Sequence, residues 1–258
     1  MDIYQIAQEM RPVMYQAGEI AKKYFLNVKA ERKADHSFVT KADREVETFL
    51  KEEIHRLFPD HGVLGEEFGE HQLDDSDSVW AIDPIDGTAP FVYELPVWGV
   101  SVGLLHKRKG VLGFVYLPVM DEMYWAVAGG PAFVNEREIQ VCEPRDMGRG
   151  TCIVAPSITF RGLDAQYEGR ALAFGSAAAH ICYVARGKIQ GGVLMKVRLW
   201  DIAAAAVVLE AAGGELIYLS GDPVDLGALL DGSRVREPFC IGRPENARQL
   251  TKLIKDIE

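Results

Sequence analysis

No stretch of the sequence approaches the ~20 consecutive apolar residues that a membrane-spanning helix needs, so no membrane contact is expected. The four cysteines, Cys142, Cys152, Cys182 and Cys240, contain no Cys-x-x-Cys pair. That spacing argues against a zinc knuckle or a redox motif and predicts buried free thiols. Basic residues form no dense cluster, and 28 of them face 38 acidic ones for a net charge of −10. A nucleic acid needs a basic footprint, so none is expected as a partner. The opening MDIYQIAQEMRP lacks the basic front and unbroken apolar segment of a secretory signal, and a cytoplasmic location is expected.

What is present is the material of a globular core: 258 residues, 48% hydrophobic and 26% charged, enough for one large domain. Apolar residues at helical spacing predict a first helix over 3–25 and a second over 43–58, ended by Pro59. Short β-rich segments follow at 63–64, 79–82, 99–105, 111–116 and 123–127, separated by Gly, Pro and Asp. The later chain alternates strands at 152–155, 171–174, 189–194, 216–219 and 239–241 with helices at 176–185, 202–212 and 244–257. Gly213-Gly214 suits a helix end. The pattern predicts a single catalytic domain over 1–258 with two packed halves, an α+β half over 1–145 and an α/β half over 146–258.

Acids sit at the edges of these elements in three places: Gly65-Glu66-Glu67, Asp83-Pro84-Ile85-Asp86-Gly87-Thr88, and Trp200-Asp201-Ile202-Ala203. Separately they read as a solvated pair, a turn and a helix cap. Together they offer the converging oxygen ligands that a hard cation such as Mg²⁺ demands. Two such ions ~3.5–4 Å apart can clamp a phosphoryl group and activate a water. Proline fixes the backbone between the two aspartates, and Gly87-Thr88 places backbone N–H groups where phosphate oxygens can bind.

These three motifs resemble the signatures of the inositol monophosphatase family, Mg²⁺-dependent, lithium-sensitive phosphatases whose superfamily includes fructose-bisphosphatases, phosphoadenosine-phosphate phosphatases and a class of histidinol-phosphate phosphatases. Lys33-Ala34-Asp35, Ser37 and Val39-Thr40-Lys41-Ala42-Asp43 are similar to its loop and helix start, and Gly175-Ser176-Ala177-Ala178 to its substrate side. The resemblance implies an αβαβα sandwich of the inositol monophosphatase and fructose-bisphosphatase type, commonly a homodimer, that hydrolyses a small soluble phosphate ester with two or three Mg²⁺. It implies Glu66, Asp83 and the Ile85 carbonyl as ligands of one ion, Asp83, Asp86 and Asp201 of a second, and a further position near Glu66 and Glu67. Thr88, with Asp43 behind it, would orient the attacking water, and the Gly87-Thr88 backbone would bind phosphate.

The departures lie on the substrate side. Ala89-Pro90-Phe91 replaces the polar residues usual after Asp-Gly-Thr, Gln190 stands where the family usually has aspartate, and Leu194 replaces the glutamate that accepts bonds from sugar hydroxyls. Leucine accepts no hydrogen bond, which argues against a polyol. Gly175, Ser176 and Ala177 are candidate substrate contacts. Lys196 and Arg198, which would point the same way on a strand, are candidates for a second anionic group; a solvated polar face is the alternative. The surrounding Pro59 to Gly69 stretch is more similar to the histidinol-phosphate and phosphoadenosine-phosphate branches, and its His61 reads as polar surface. A catalytically silent relative that binds metal or phosphate is the competing class.

Overall fold

The computed structural model describes residues 2–33, 37–71, 76–157 and 163–256. Helix α1 (Ile3–Lys22) begins where the Asp2 carboxylate accepts hydrogen bonds from the Tyr4 and Gln5 N–H groups, satisfying donors that a first turn leaves orphaned. A small hairpin of β1 (Ala30–Arg32) and β2 (Phe38–Thr40) leads into α2 (Lys41–Leu57). Thr40 and Asp43 close its N-terminus as a capping box, each supplying an acceptor for the other's backbone donor.

The large sheet contains β3 (Gly62–Gly65), β4 (Gly69–His71), β5 (Ser78–Asp86), β6 (Gly99–His106), β7 (Lys109–Leu117), β8 (Glu122–Val127), β9 (Ala132–Val134) and β10 (Arg137–Ile139). Their order is β10-β9-β8-β7-β6-β5-β3-β4, antiparallel except between β3 and β5. The short α3 (Thr88–Val92) follows β5. A five-stranded sheet, β13-β11-β14-β16-β15, is built from β11 (Cys152–Val154), β13 (Arg170–Leu172), β14 (Gly191–Leu194), β15 (Glu215–Tyr218) and β16 (Phe239–Gly242). Helices α4 (Ala177–Ala185) and α5 (Leu199–Ala211) lie between the sheets, and α6 (Pro244–Leu253) covers the outer face of the smaller one.

Alternation along β5 explains the layering. Trp80 and Ile82 pack against α1 and α2, whereas Val79 and Ala81 face the middle helices, because successive strand side chains point to opposite faces. The layers therefore run α, β, α, β, α, and the fold is the αβαβα sandwich expected. Helix α5 is buried along nearly its whole length. It can sit so close to the large sheet because Gly103 and Gly113, paired across β6 and β7, present no side chain to it. A Cβ on Gly113 would lie 2.1 Å from the Ala204 carbonyl oxygen. Gly213 ends α5 in the left-handed region at φ +85, a conformation that costs glycine little.

Several elements differ from expectation. Strand periodicity alone did not mark β1, β2, β4, β9 or β10. The last helix stops at Leu253, after which β17 (Ile254–Asp256) pairs antiparallel with β12 (Leu163–Ala165). His61 is half-buried and structural: its Nδ1 accepts a hydrogen bond from the Trp80 indole at 3.0 Å, and its ring stacks on Phe58. All four cysteines are free, Cys182 and Cys240 buried and the other two partly so. Among the described residues no helix is long and apolar enough to cross a membrane.

Candidate active site

A regular strand would send Asp83 and Asp86, three residues apart, to opposite faces. The register shows why it does not: Asp83 pairs with Ser101 and Asp86 with Gly99, so three steps on β5 match two on β6. One extra residue makes a bulge, and Pro84 is tolerated there because a bulge needs one fewer donor. Both carboxylates consequently face the same cleft. Asp83 Oδ1 also accepts from the Ile85 N–H at 3.0 Å, and Thr88 Oγ1 donates to the Ile85 carbonyl at 3.2 Å.

Glu66 arrives from the parallel neighbour. Its N–H donates to the Ile82 carbonyl at 3.2 Å, so it stands at the end of β3 beside β5. Asp201 arrives from the other side, in the first turn of α5, where its Oδ2 accepts from the Arg198 N–H at 2.6 Å. It is thus a helix-capping residue and a cleft residue at once. One carboxylate oxygen from each of Asp83, Asp86 and Asp201 lies within 4.8 Å of the others. That is the spacing of a possible divalent-cation site.

The cleft measures about 650 Å³ and is walled by all four acids together with Ile85, Gly87, Thr88, Gly175, Ser176 and Ala177. Among the described residues no lysine or arginine lines it. Burial, then repulsion from Glu66, Asp86 and Asp201, pushes the Asp83 carboxyl well above its ordinary range. Burial likewise raises Asp201 to about 7 and Asp86 to about 6, the latter held back by hydrogen bonds. Those bonds come from the N-terminus of α4: Ser176 Oγ donates to Asp86, as do the N–H groups of Ala177 at 3.0 Å and Ala178 at 2.9 Å. Acids so buried and so close favour either bound protons or a bound cation.

Gly87 holds φ +91, and a Cβ there would meet Ser176 Cβ at 3.0 Å and the Val97 carbonyl at 3.2 Å. Only glycine suits that turn. Beyond it, the first N–H groups of α3 have no carbonyl within the helix to receive them.

Other expected residues lie elsewhere. Asp43 sits behind the site with its Oδ2 taken by Thr40; its Oδ1 is buried without a partner, and burial raises it to about 7. Glu67 also lies behind the wall, where its Oε1 and that of Glu66 accept from Lys33 Nζ. Burial pulls Lys33 down, but the two carboxylates outweigh it and hold the ammonium above its ordinary value. Asp35 falls outside the described residues. Ala177 N–H and Ser176 Oγ are committed to Asp86, so these groups position an acid before they could touch a substrate.

Lys196 and Arg198 require a correction. The strand ends at Leu194, and Lys196 turns out at φ +60, so the alternation assumed for them does not exist. Neither lines the cleft; Met195 and Val197 do. The Arg198 guanidinium donates to the Gly232 carbonyl and covers the Trp200 ring.

Two residues of the site were not anticipated. Glu47 is fully buried, and its carboxylate accepts from the N–H groups of Glu67 at 2.8 Å and Phe68 at 3.0 Å. It therefore holds the loop that carries Glu66. Its signal was an acid on the apolar face of α2, one turn after Asp43 and beside Val46 and Leu50. His180 lines the cleft; burial lowers it to about 4, and its Nε2 accepts from the Phe174 N–H at 2.9 Å.

The sequence and the fold have known counterparts. A model of the inositol monophosphatase family matches residues 3–237. A protein of Aquifex aeolicus named fructose-1,6-bisphosphatase/inositol-1-monophosphatase is 34% identical over 87% of this chain and 89% of its own. One of Pasteurella multocida named Nus factor SuhB is 34% identical over 73% and 74%. An IMPase structure from Thermotoga maritima superposes with a TM-score of 0.83 at 26% identity, covering 98% of this chain and 96% of its own. With a family model matched over residues 3–237 and relatives a third identical over most of its length, the chain belongs to the inositol monophosphatase family.

Proposed function

We propose that the protein is a Mg²⁺-dependent phosphomonoesterase acting on a small soluble phosphate ester. The observation that carries this reading is the cluster of Asp83, Asp86 and Asp201, with ligand atoms within 4.8 Å of one another, in a cleft that no described lysine or arginine lines, Lys33 being paired with Glu66 and Glu67 behind the wall. A phosphate dianion could not approach three clustered aspartates unaided, since like charges at such range repel strongly in a partly desolvated site. The donors are all oxygen, which fits a hard cation. Asp83, Asp86 and Asp201 would hold one ion, and Glu66, Asp83 and the Ile85 carbonyl another. Bound there, Mg²⁺ supplies charge neutralisation and Lewis acidity toward the phosphoryl group and water.

The chain's own residues supply the rest. The Thr88 hydroxyl, aligned on the Ile85 carbonyl, orients a water for in-line attack, and the Gly87-Thr88 backbone N–H groups receive phosphate oxygens. The water oxygen bonds to phosphorus as the bond from phosphorus to the alcohol oxygen breaks. One water proton goes to the departing alkoxide and the other stays on the phosphate, giving an alcohol and hydrogen phosphate.

A binding protein without turnover is the second reading, favoured by the Nus-factor name of the Pasteurella relative. Phosphate release from inositol 1-phosphate, fructose 1,6-bisphosphate and glycerol phosphate, with Mg²⁺ and with EDTA, separates the two. Release that requires Mg²⁺ is expected; none from any ester at any Mg²⁺ concentration would favour the binding protein.

Glu47 gives a finer test. Glu47→Gln keeps the size but turns an NH₂ group toward one of the two backbone donors, loosening the Glu66 loop. The Mg²⁺ concentration for half-maximal activity should rise by roughly 10-fold or more, as for other residues that orient ligands. An unchanged Mg²⁺ requirement would show that Glu47 only fills space.

A further inference from the structure

Leu194 is not an isolated departure, because among the described residues the wall beyond the acids is largely apolar, with Ser37 and Ser157 its polar interruptions. Leu194 is fully buried at the end of β14, and Met195 and Val197 continue the surface along the turn that follows. Phe174 faces them from the strand side, where it packs edge-on against Tyr183 at 5.3 Å. His180 adds no charge to this wall, since it is held neutral and its Nε2 is occupied by the Phe174 N–H. At the mouth stand Tyr93 and Leu95, 65% and 53% exposed, with Phe38 edge-to-face against Tyr93 at 6.0 Å.

Large apolar side chains grouped at the mouth of a cleft mark a ligand surface more often than chance exposure. A polyol would exchange its hydrogen bonds to water for few side-chain acceptors here, Ser37 and Ser157 among the described residues, and lose part of what water gives it. An aromatic group would gain contact area and edge-to-face geometry with the same rings. We infer that the alcohol released is largely apolar and carries an aromatic group, so that the substrate is an arylalkyl phosphate. This rests on the phosphatase reading above and names the substrate class of the same cleft. The apolar wall supplies binding, and the acids keep the reacting end.

Aryl esters are poor probes because their leaving groups react more readily in any enzyme. The comparison is therefore 2-phenylethyl phosphate against glycerol 3-phosphate and inositol 1-phosphate, all alkyl esters, at saturating Mg²⁺. A kcat/KM preference of roughly 10- to 100-fold for the phenylethyl ester is expected, the scale set by filling a hydrophobic pocket. In Tyr93→Ser the KM for the phenylethyl ester should rise several-fold and the preference narrow. Calorimetry with the non-hydrolysable 2-phenylethylphosphonate should show the same order of affinity over a dihydroxypropylphosphonate.

Mg²⁺-dependent release from glycerol phosphate or inositol phosphate at equal or greater efficiency would overturn this inference and leave the phosphatase reading standing. No release from any ester, with no phosphonate binding, would remove both.

Discussion

Asp86→Asn should give a folded protein whose Mg²⁺-dependent phosphate release is reduced by roughly 10²–10³ or more, the scale on which a lost electrostatic group at a reacting centre is felt. Asp86 sits between the candidate cation site and α4, accepting from Ser176 Oγ and from the Ala177 and Ala178 N–H groups. Asparagine keeps one acceptor and offers donors where donors already point. The loss resembles that of a helix cap, about 1 kcal/mol, which a chain of this size should survive.

The same variant should lose most of the rise in melting temperature that Mg²⁺ confers. In the metal-free protein Asp86 and Asp201 are raised to about 6 and about 7. Their folded values lie above their unfolded ones, so the folded state holds the protons more tightly. That contribution is fully present at low pH and fades as pH rises through 6 to 7. Mg²⁺ replaces those protons, so its stabilisation of the wild type should be larger at pH 8 than at pH 5.5. Thermal melts across pH, with and without Mg²⁺, measure this. A flat Mg²⁺ effect, or an asparagine variant as active as wild type, would count against the cation site.

Gly113→Ala is expected to be the most destabilising single-methyl change near the site. Its Cβ would stand 2.1 Å from the Ala204 oxygen and 2.8 Å from the Ala204 carbonyl carbon. Both are backbone atoms, so no rotamer change can relieve the contact and α5 must move outward. Overpacking of this kind costs ~1–3 kcal/mol or more, or roughly 2–12 °C in melting temperature for a chain of this length. Because α5 carries Asp201, the Mg²⁺ requirement should rise as well. Gly148→Ala, where a Cβ meets nothing within 4 Å, is the control and should melt like wild type. Equal melting of the two variants would show that the layer spacing tolerates an extra methyl.

How much of this could be read beforehand depended on whether a residue's role is written in its neighbours in sequence. Asp83, Pro84 and Asp86 were legible because the bulge that aligns them needs an extra residue and tolerates a proline, and both lie within four positions. The helices α2 and α5 and the first part of β5 announced themselves by apolar spacing, whereas the continuation of β5 through Asp83 to Asp86 did not, since acids and a proline read as a strand's end. The three-residue hairpin strands β1 and β2 did not, since every residue of β1 is exposed and no alternation exists to detect. Lys196 and Arg198 were misplaced because strand alternation was applied to two positions beyond the end of β14 at Leu194, and Lys196 takes the left-handed backbone with no glycine or asparagine to announce it. Glu47 was invisible for a different reason: its partners are backbone N–H groups about 20 positions away, and no side-chain pattern records a backbone donor.

The provenance of the acids has a mechanical consequence. Glu66, Asp83 and Asp86 belong to the large sheet, and Asp201 and the Ser176 cap of Asp86 to helices threaded between the sheets. The site is therefore a seam between layers and not a pocket carved into one of them. A cation seated there is a rivet, and any sliding of one layer over the other registers first as a change in the gap between Asp201 and the bulge of β5. Substitutions far from the cleft, along the glycine-lined track of α5, can in this way alter metal affinity without touching a ligand.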